Sequence, residues 1–478
     1  MSPISVPPNA AIVIFGANGD LSRRKLLPSL FHLHMEGLMP HDYRIIGNSR
    51  STYSDEEFRN FARSSIDEFA RCHPTDEEWD EFAGRLTWVS HEATPDSVGP
   101  IVDALRKAEA DVGGSACRLF YLAVPPVAFE TVTRALAVDG LADGARVIYE
   151  KPFGQDLADF QRLNSVVQSV LEDSQVYRID HFLGKETVQN ILAFRFANGM
   201  FEPAWNRHHI DHVQIEVLEE LDVGTRAAFY EQTGALRDML VTHLFQLLGF
   251  VALEPPPSLE ERPLAEEVLK LFETIKPLEP EDVVRGQYEG YREAEGVDPD
   301  SQTETYVAAK LSIDNWRWAG VPFFLRTGKA LKQGRSCITL AFRDPPRRMF
   351  KEVEQEFRRD HLSMELGPEE GIHITFLTKI PGSKIELGPA KMEFKYEGSF
   401  GSEMIGAYER LIHDSLIGDR TLFTRGDGIE RAWEIVDQAL SDPPPLVHYE
   451  RGSWGPEAAD ELIAPRRWHS SSRGESWA

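Results

Sequence analysis

Two stretches of this sequence carry side chains able to hold an anion and move a proton. The first is Arg178-Ile179-Asp180-His181-Phe182-Leu183-Gly184-Lys185-Glu186. It reads as the opening of a helix, with His181 and Lys185 at i, i+4 on one face near the N-terminus, an arrangement suited to a phosphate dianion. The second is Gly234-Ala235-Leu236-Arg237-Asp238-Met239-Leu240-Val241-Thr242-His243-Leu244, an amphipathic helix with His243 among apolar neighbours. At about 3.6 residues per turn Asp238 lies roughly 140° from His243 and cannot orient it. Asp180 is the available acid, and an imidazole held in one tautomer by a carboxylate is a general base near neutrality. Each residue taken alone has a plainer reading, His181 as part of a cap and His243 as a satisfied core histidine.

A nucleotide would be needed if the proton leaves with a hydride, and the N-terminal region offers a place for one. Gly16-Ala17-Asn18-Gly19-Asp20-Leu21 follows an apolar run and opens a helix. Backbone N–H groups and the positive helix end there can approach a pyrophosphate, which makes Gly16, Asn18, Gly19, Asp20 and Leu21 the candidate contacts. The turn is not a strict GxGxxG, and a glycine turn between strand and helix also occurs for purely structural reasons. The second apolar run leads into Asn48-Ser49-Arg50-Ser51, with no acid for a ribose 2′-hydroxyl, so Arg50 points to a 2′-phosphate and to NADP over NAD. Tyr121-Leu122-Ala123-Val124-Pro125-Pro126 and Glu150-Lys151-Pro152-Phe153-Gly154 end two further runs, bringing Pro125 and Lys151 to the edge where ligands bind. A solvated arginine and a surface lysine are the plainer alternatives.

These residues need a scaffold. Apolar runs at 10–15, 43–47, 118–124 and 146–149, separated by helical patterns at 56–70, 97–110 and 129–138, imply right-handed βαβ crossovers and a parallel sheet. Beyond residue 176 period-two stretches at 212–216, 303–313 and 371–378 alternate with long helices. The expected fold is therefore an N-terminal doubly wound, Rossmann-like parallel sheet over 1–177, followed by a larger α+β domain over 178–478 with a mainly antiparallel sheet. Residues 253–281, rich in Pro and Glu, read as a long loop with one short helix, and the tail from Ala464 as loosely held.

Composition narrows the partners. Among 478 residues there are 51 Lys+Arg and 77 Asp+Glu, a formal charge of −26, with 42% hydrophobic residues. The acidic balance argues against nucleic-acid or anionic-membrane binding, so an anionic ligand requires a local basic site. The start lacks the pattern of a secretory signal and no membrane span is read, which leads to the expectation of a cytoplasmic protein. Cys72, Cys117 and Cys337 form no metal-spaced pair and no disulfide framework, and no metal is expected.

Taken together, the motifs resemble the glucose-6-phosphate dehydrogenase family over nearly the whole chain. The resemblance rests on residues 16–21 with Arg50, 150–154, 178–186, 196–207, 234–243, Val284-Arg285-Gly286-Gln287-Tyr288 and 314–329. Tyr408-Glu409-Arg410-Leu411 and Ser453-Trp454-Gly455-Pro456 extend it. It implies oxidation of glucose 6-phosphate at C1 by NADP, in a homodimer or homotetramer. His243 then looks like the general base, Asp180 its orienting acid, His181 and Lys185 the phosphate ligands, Lys151 a bridging lysine, Glu219 and Asp238 acceptors for sugar hydroxyls, and Lys329 a further substrate-side lysine. Phe182 stands where the family usually has Tyr, and Val241-Thr242 where it has Gln-Asn. Another two-domain sugar oxidoreductase, or an NADP-binding sensor without catalysis, are the competing readings.

Overall fold

Every residue of Ala10–Phe15 is buried, as a parallel strand covered on both faces must be. In the computed structural model, which describes residues 6–114, 116–347, 349–350, 359–396, 399 and 405–469, this run is β1. Around it lie β2 (Tyr43–Ser49), β3 (Leu86–Ser90), β4 (Cys117–Leu122), β5 (Arg146–Tyr149) and β6 (Val176–Ile179). All pair in parallel in the order β3-β2-β1-β4-β5-β6, the doubly wound arrangement with its reversal between β1 and β4. A short strand, Phe423–Thr424, adds antiparallel to β6. The strand β3 was not among the expected runs. It sits at the sheet edge with alternating burial, so its residues Leu86-Thr87-Trp88-Val89-Ser90 never form the continuous apolar stretch of a central strand.

The chain divides into two units, one of residues 1–185, 258–265 and 404–429, the other of 186–257, 266–403 and 430–478. The first therefore takes back a segment from far down the chain, which a single division at 177/178 does not contain. Helix Ala407–Ile417 packs on helix Leu27–Met35, and the Glu409 carboxylate accepts from Arg71 Nη2 at 2.7 Å and is hydrogen-bonded to His32 Nδ1 at 2.9 Å.

Among the described residues the second unit is built on a nine-stranded sheet. Its strands include β7 (Ile210–Leu218), β8 (Val283–Tyr288), β9 (Tyr306–Ser312), β10 (Pro322–Gly328), β11 (Arg335–Phe342), β12 (His361–Gly367), β13 (Gly371–Lys379) and β14 (Leu387–Lys395). Their order is β14-β13-β12-β11-β7-β10-β9-β8, closed by strand Leu446–Tyr449. Only β7 with β10, and Leu446–Tyr449 with β8, run parallel; the remaining pairs are antiparallel, as the period-two patterning implies. Residues 253–281 contain a 13-residue helix, Glu261–Glu273. The helical run Gly224–Ala252 is apolar and long enough to cross a bilayer, yet 89% of its most apolar window is buried in the fold.

The tail departs from expectation. Trp468 is fully buried, its indole N–H donates to the Ala459 carbonyl at 2.9 Å, and its ring lies 4.3 Å from the Arg326 guanidinium. The His469 N–H donates to Gln214 Oε1 at 2.8 Å. Polar composition suggested a loose end, but one tryptophan with a satisfied N–H is enough to seat it. Residues 470–478 lie outside the described residues.

Candidate active site

In the first unit the carboxyl ends of adjacent strands collect the motif residues in spatial order. Arg50 follows β2, Gly16 follows β1, Pro125 lies just past β4, Glu150 and Lys151 follow β5, and Asp180 follows β6. Four inter-strand spacings, roughly 19 Å, separate the first from the last. Gly16 adopts φ +80°, and a Cβ on it would stand 2.3 Å from the Ala123 carbonyl oxygen, so only glycine fits. Its N–H donates to the Asn48 carbonyl at 2.8 Å, and Gly19 N–H donates back to the Gly16 carbonyl at 2.9 Å. The helix entered here passes through a π-helical segment, Ser22–Leu26, before Leu27–Met35. Arg50 is exposed, with Glu92 at 3.8 Å as its weak partner, a contact that contributes little in water. Arg50→Ala should therefore raise KM for NADP by about 10- to 100-fold while leaving NAD nearly untouched. Steady-state kinetics with both nucleotides checks this, and equal losses would remove Arg50 from 2′-phosphate recognition.

Glu150 is the buried acid of this edge. Tyr121 donates to its Oε1 at 2.5 Å from the neighbouring strand. Burial, with the Asp180 charge adding to it, pushes the Glu150 carboxyl up to about 7, against the pull of the Tyr121 bond and Lys151. Because the folded value exceeds the unfolded one, the stability this group contributes is full below about pH 4.5 and is lost as pH rises through 7. Glu150→Gln should then stabilise the chain by roughly 3 kcal/mol at pH 8 and by almost nothing at pH 4.5. Chemical denaturation at the two pH values tests it, and a gain of the same size at both would contradict the assignment.

Asp180 is 2% exposed, and its Oδ1 accepts the Phe182 N–H at 2.9 Å. Residues 181–184 are turns, tied by Leu183 N–H to the Asp180 carbonyl and Lys185 N–H to the Phe182 carbonyl, and the helix Glu186–Phe196 begins only afterwards. His181 and Lys185 consequently do not share a helical face, contrary to the i, i+4 expectation; the aspartate closes its own turn and delays the helix. The His181 ring stacks on Tyr408, with centroids 6.2 Å apart and planes 8° from parallel. Lys185 Nζ sits 4.2 Å from the Phe182 ring centroid. Gly184 is required because a Cβ would meet the Ala407 carbonyl oxygen at 2.6 Å. Tyr408 was part of a matched motif but had no role; only the return of residues 404–429 to this unit reveals it.

In the second unit His243 is 1% exposed and lies in a π-helical segment, Leu236–Leu244. Hydrogen bonding there runs from i to i+5. Asp238 and His243, five apart, therefore lie on the same side of the helix, and the separation of about 140° expected for an α-helix does not apply. Thr242 Oγ1 donates to the Asp238 carbonyl at 2.6 Å. Two residues before the segment stands Gly234, φ +67°, where a Cβ would lie 2.5 Å from Glu304 Oε1. Glu304 Oε1 accepts the Leu236 N–H at 3.1 Å, its backbone carbonyl accepts Ala235 N–H at 2.9 Å, and Arg285 Nε and Nη2 reach Glu304 Oε2 at 3.1 and 3.0 Å. Glu219 pairs with Lys329 at 2.7 Å, and the Lys329 Nζ stands 5.3 Å from the Tyr230 ring centroid. Burial, then the charges of Asp238, Glu219 and Glu304, raise the Tyr230 hydroxyl well above its usual range, which marks these acids as one cluster around it. Sequence reasoning missed both Glu304 and Tyr230, because neither stands in a motif with recognisable spacing.

A doubly wound parallel sheet with a glycine turn after its first strand is the outline of a nicotinamide-nucleotide-dependent oxidoreductase. Residues 13–190 match the family model described as glucose-6-phosphate dehydrogenase, NAD binding domain, and residues 192–472 that described as glucose-6-phosphate dehydrogenase, C-terminal domain. The chain belongs to the glucose-6-phosphate dehydrogenase family. It is 41% identical to glucose-6-phosphate 1-dehydrogenase of Treponema pallidum over 491 aligned positions, 96% of this chain and 95% of that one. The crystal structure of glucose-6-phosphate 1-dehydrogenase from Mycobacterium avium superposes with a TM-score of 0.88 at 34% identity, covering 99% and 100% of the two chains. A glucose-6-phosphate dehydrogenase in complex with glucose 6-phosphate superposes with a TM-score of 0.89 at 31% identity, covering 98% and 99%.

Proposed function

We propose that the chain oxidises glucose 6-phosphate at C1 to 6-phosphoglucono-1,5-lactone, with His243 as general base on the C1 hydroxyl and Asp180 as the acid that orients it. NADP, when bound, accepts the hydride. Gly16, Asn18, Gly19, Asp20 and Leu21 would hold its pyrophosphate at the helix entry, Arg50 its 2′-phosphate, and Pro125 and Lys151 its nicotinamide end. The glycine turn that no Cβ can enter fits this cofactor. His181 and Lys185 supply cationic donors to the substrate phosphate, Lys151 bridges substrate and cofactor, Glu219 and Asp238 accept from sugar hydroxyls, and Lys329 holds Glu219 in place. Division of the chain near 177/178 into a nucleotide-binding and a substrate domain, a cytoplasmic location, no nucleic-acid or membrane partner and assembly as a homodimer or homotetramer complete the reading.

The observation that carries it is the gathering of Glu150, Lys151 and Asp180 at the ends of adjacent strands, in line with Gly16 and with Arg50 in place of an acid. The test is the near-ultraviolet absorbance of reduced nicotinamide, followed with glucose 6-phosphate, free glucose and each nucleotide in turn. Turnover of the ester with NADP is expected, and free glucose should be a poor substrate because the His181 and Lys185 donors then bind nothing. Comparable turnover of free glucose would favour the other sugar oxidoreductases. Phe182→Tyr adds back a hydroxyl donor and should lower KM for the ester by about fivefold, a gain of about 1 kcal/mol, with kcat unchanged. A KM that stays constant would mean that the added hydroxyl does not reach the phosphate.

A further inference from the structure

The acids gathered in the second unit leave one demand of a sugar unmet. A carboxylate only accepts hydrogen bonds, so Glu219 and Asp238 can take the protons of sugar hydroxyls but give nothing to the hydroxyl oxygens. Lys329 is a donor there, and its Nζ already stands 2.7 Å from Glu219 Oε2. A second donor comes from helix Ala227–Ala235, in which Tyr230 is 3% exposed and its ring lies 5.3 Å from Lys329 Nζ. The Tyr230 hydroxyl has no hydrogen-bond partner among the described residues, yet it is not one of the unpaired polar atoms sealed within the fold. By contrast Tyr449 donates to the Lys329 carbonyl at 2.7 Å, and Tyr291 to Glu231 Oε2 at 2.8 Å. A buried donor without an acceptor costs stability, and a ligand oxygen can recover that cost.

We propose that the Tyr230 hydroxyl donates to the C2, C3 or C4 hydroxyl of glucose 6-phosphate and so sets which sugar the enzyme accepts, a reading that rests on the ester being the substrate. That sugar hydroxyl gives its own proton to Glu219 or Asp238 and receives one from Tyr230, which satisfies all three groups. Burial, then the charges of Asp238, Glu219 and Glu304, keep the phenol protonated well above neutrality, so it remains a donor wherever the enzyme works. A sugar without the partner hydroxyl leaves the phenol unpaired, and a site built to bond a hydroxyl rejects such an analogue more strongly than an apolar wall does. The ring itself serves Lys329, a contact that phenylalanine retains, so one substitution separates the hydroxyl from the ring.

The experiment compares the parent with Tyr230→Phe on glucose 6-phosphate and its 2-deoxy, 3-deoxy and 4-deoxy analogues. Two quantities are measured for each sugar, kcat/KM with NADP and the dissociation constant without nucleotide, the latter by calorimetry. Tyr230→Phe should weaken both by about tenfold for glucose 6-phosphate. For one analogue the loss should stay below about twofold, because the hydroxyl it lacks is the partner of Tyr230 and the two removals are then not additive. An equal loss on all four sugars would make Tyr230 a structural residue, and an unchanged affinity for glucose 6-phosphate would remove it from the site; either overturns the proposal. A parent that binds the ester without oxidising it refutes the proposed reaction, and the dissociation constants then decide Tyr230 alone. A parent that does not bind the ester refutes both.

Discussion

His243→Asn should lower kcat for glucose 6-phosphate oxidation by roughly 10²- to 10⁴-fold, with KM changed far less, as follows from the proposed role of the imidazole as base for the C1 hydroxyl. Asparagine is polar but smaller than the histidine, whose side chain is 1% exposed, so the urea midpoint of the variant is measured beside its rate to separate packing from catalysis. As the proposed base, His243 should give the parent pH–rate profile a limb on its acid side, where a protonated base cannot accept the C1 proton. In His243→Asn that limb disappears. Under the proposed orienting role of Asp180, Asp180→Asn should leave the limb visible but depress the plateau. Stopped-flow and steady-state rates across pH 5–9 separate the two. Parental turnover by His243→Asn would mean that another group is the base.

What the sequence could disclose follows from which physical signals are local. A parallel strand buried on both faces writes itself as a continuous apolar run, so Ala10–Phe15 and the glycine turn after it were legible. The edge strand Leu86–Ser90 was not, because half its residues face solvent or a helix. The relation of Asp238 to His243 was misjudged because a period of about 3.6 was assumed, and no composition rule announces a π-helical segment. Both such segments here lie in helices that carry proposed functional residues. The turn at residues 181–184 was read as helix because Asp180's bond to the Phe182 N–H competes with helix formation, a contest that spacing cannot settle. Tyr408 and His181 are joined only by tertiary return of the chain, and no local pattern could have shown it.

Glu304→Gln is expected to destabilise the second unit by roughly 3–5 kcal/mol and to slow turnover as well. The carboxylate is buried and links two things: Arg285, bound through two nitrogens, and the start of the helix that carries His243, bound through the Leu236 N–H and its own backbone carbonyl. Glutamine removes the charge that compensates a largely buried guanidinium and turns an N–H₂ toward one of these partners. The Gly234 turn is closed against this carboxylate, so the helix start shifts with it, and a displacement of about 1 Å at His243 can cost on the order of 10² in rate. Because His243 itself is unchanged, the limb that the proposal assigns to it should persist in Glu304→Gln, unlike in His243→Asn. Glu304→Asp, which keeps the charge on a shorter stem, should recover part of the stability and part of kcat together. Urea denaturation followed by the same pH series measures both effects. A Glu304→Gln protein that unfolds at the parental urea midpoint would show that the guanidinium finds its charge elsewhere, and that the helix bearing the base is held by packing alone.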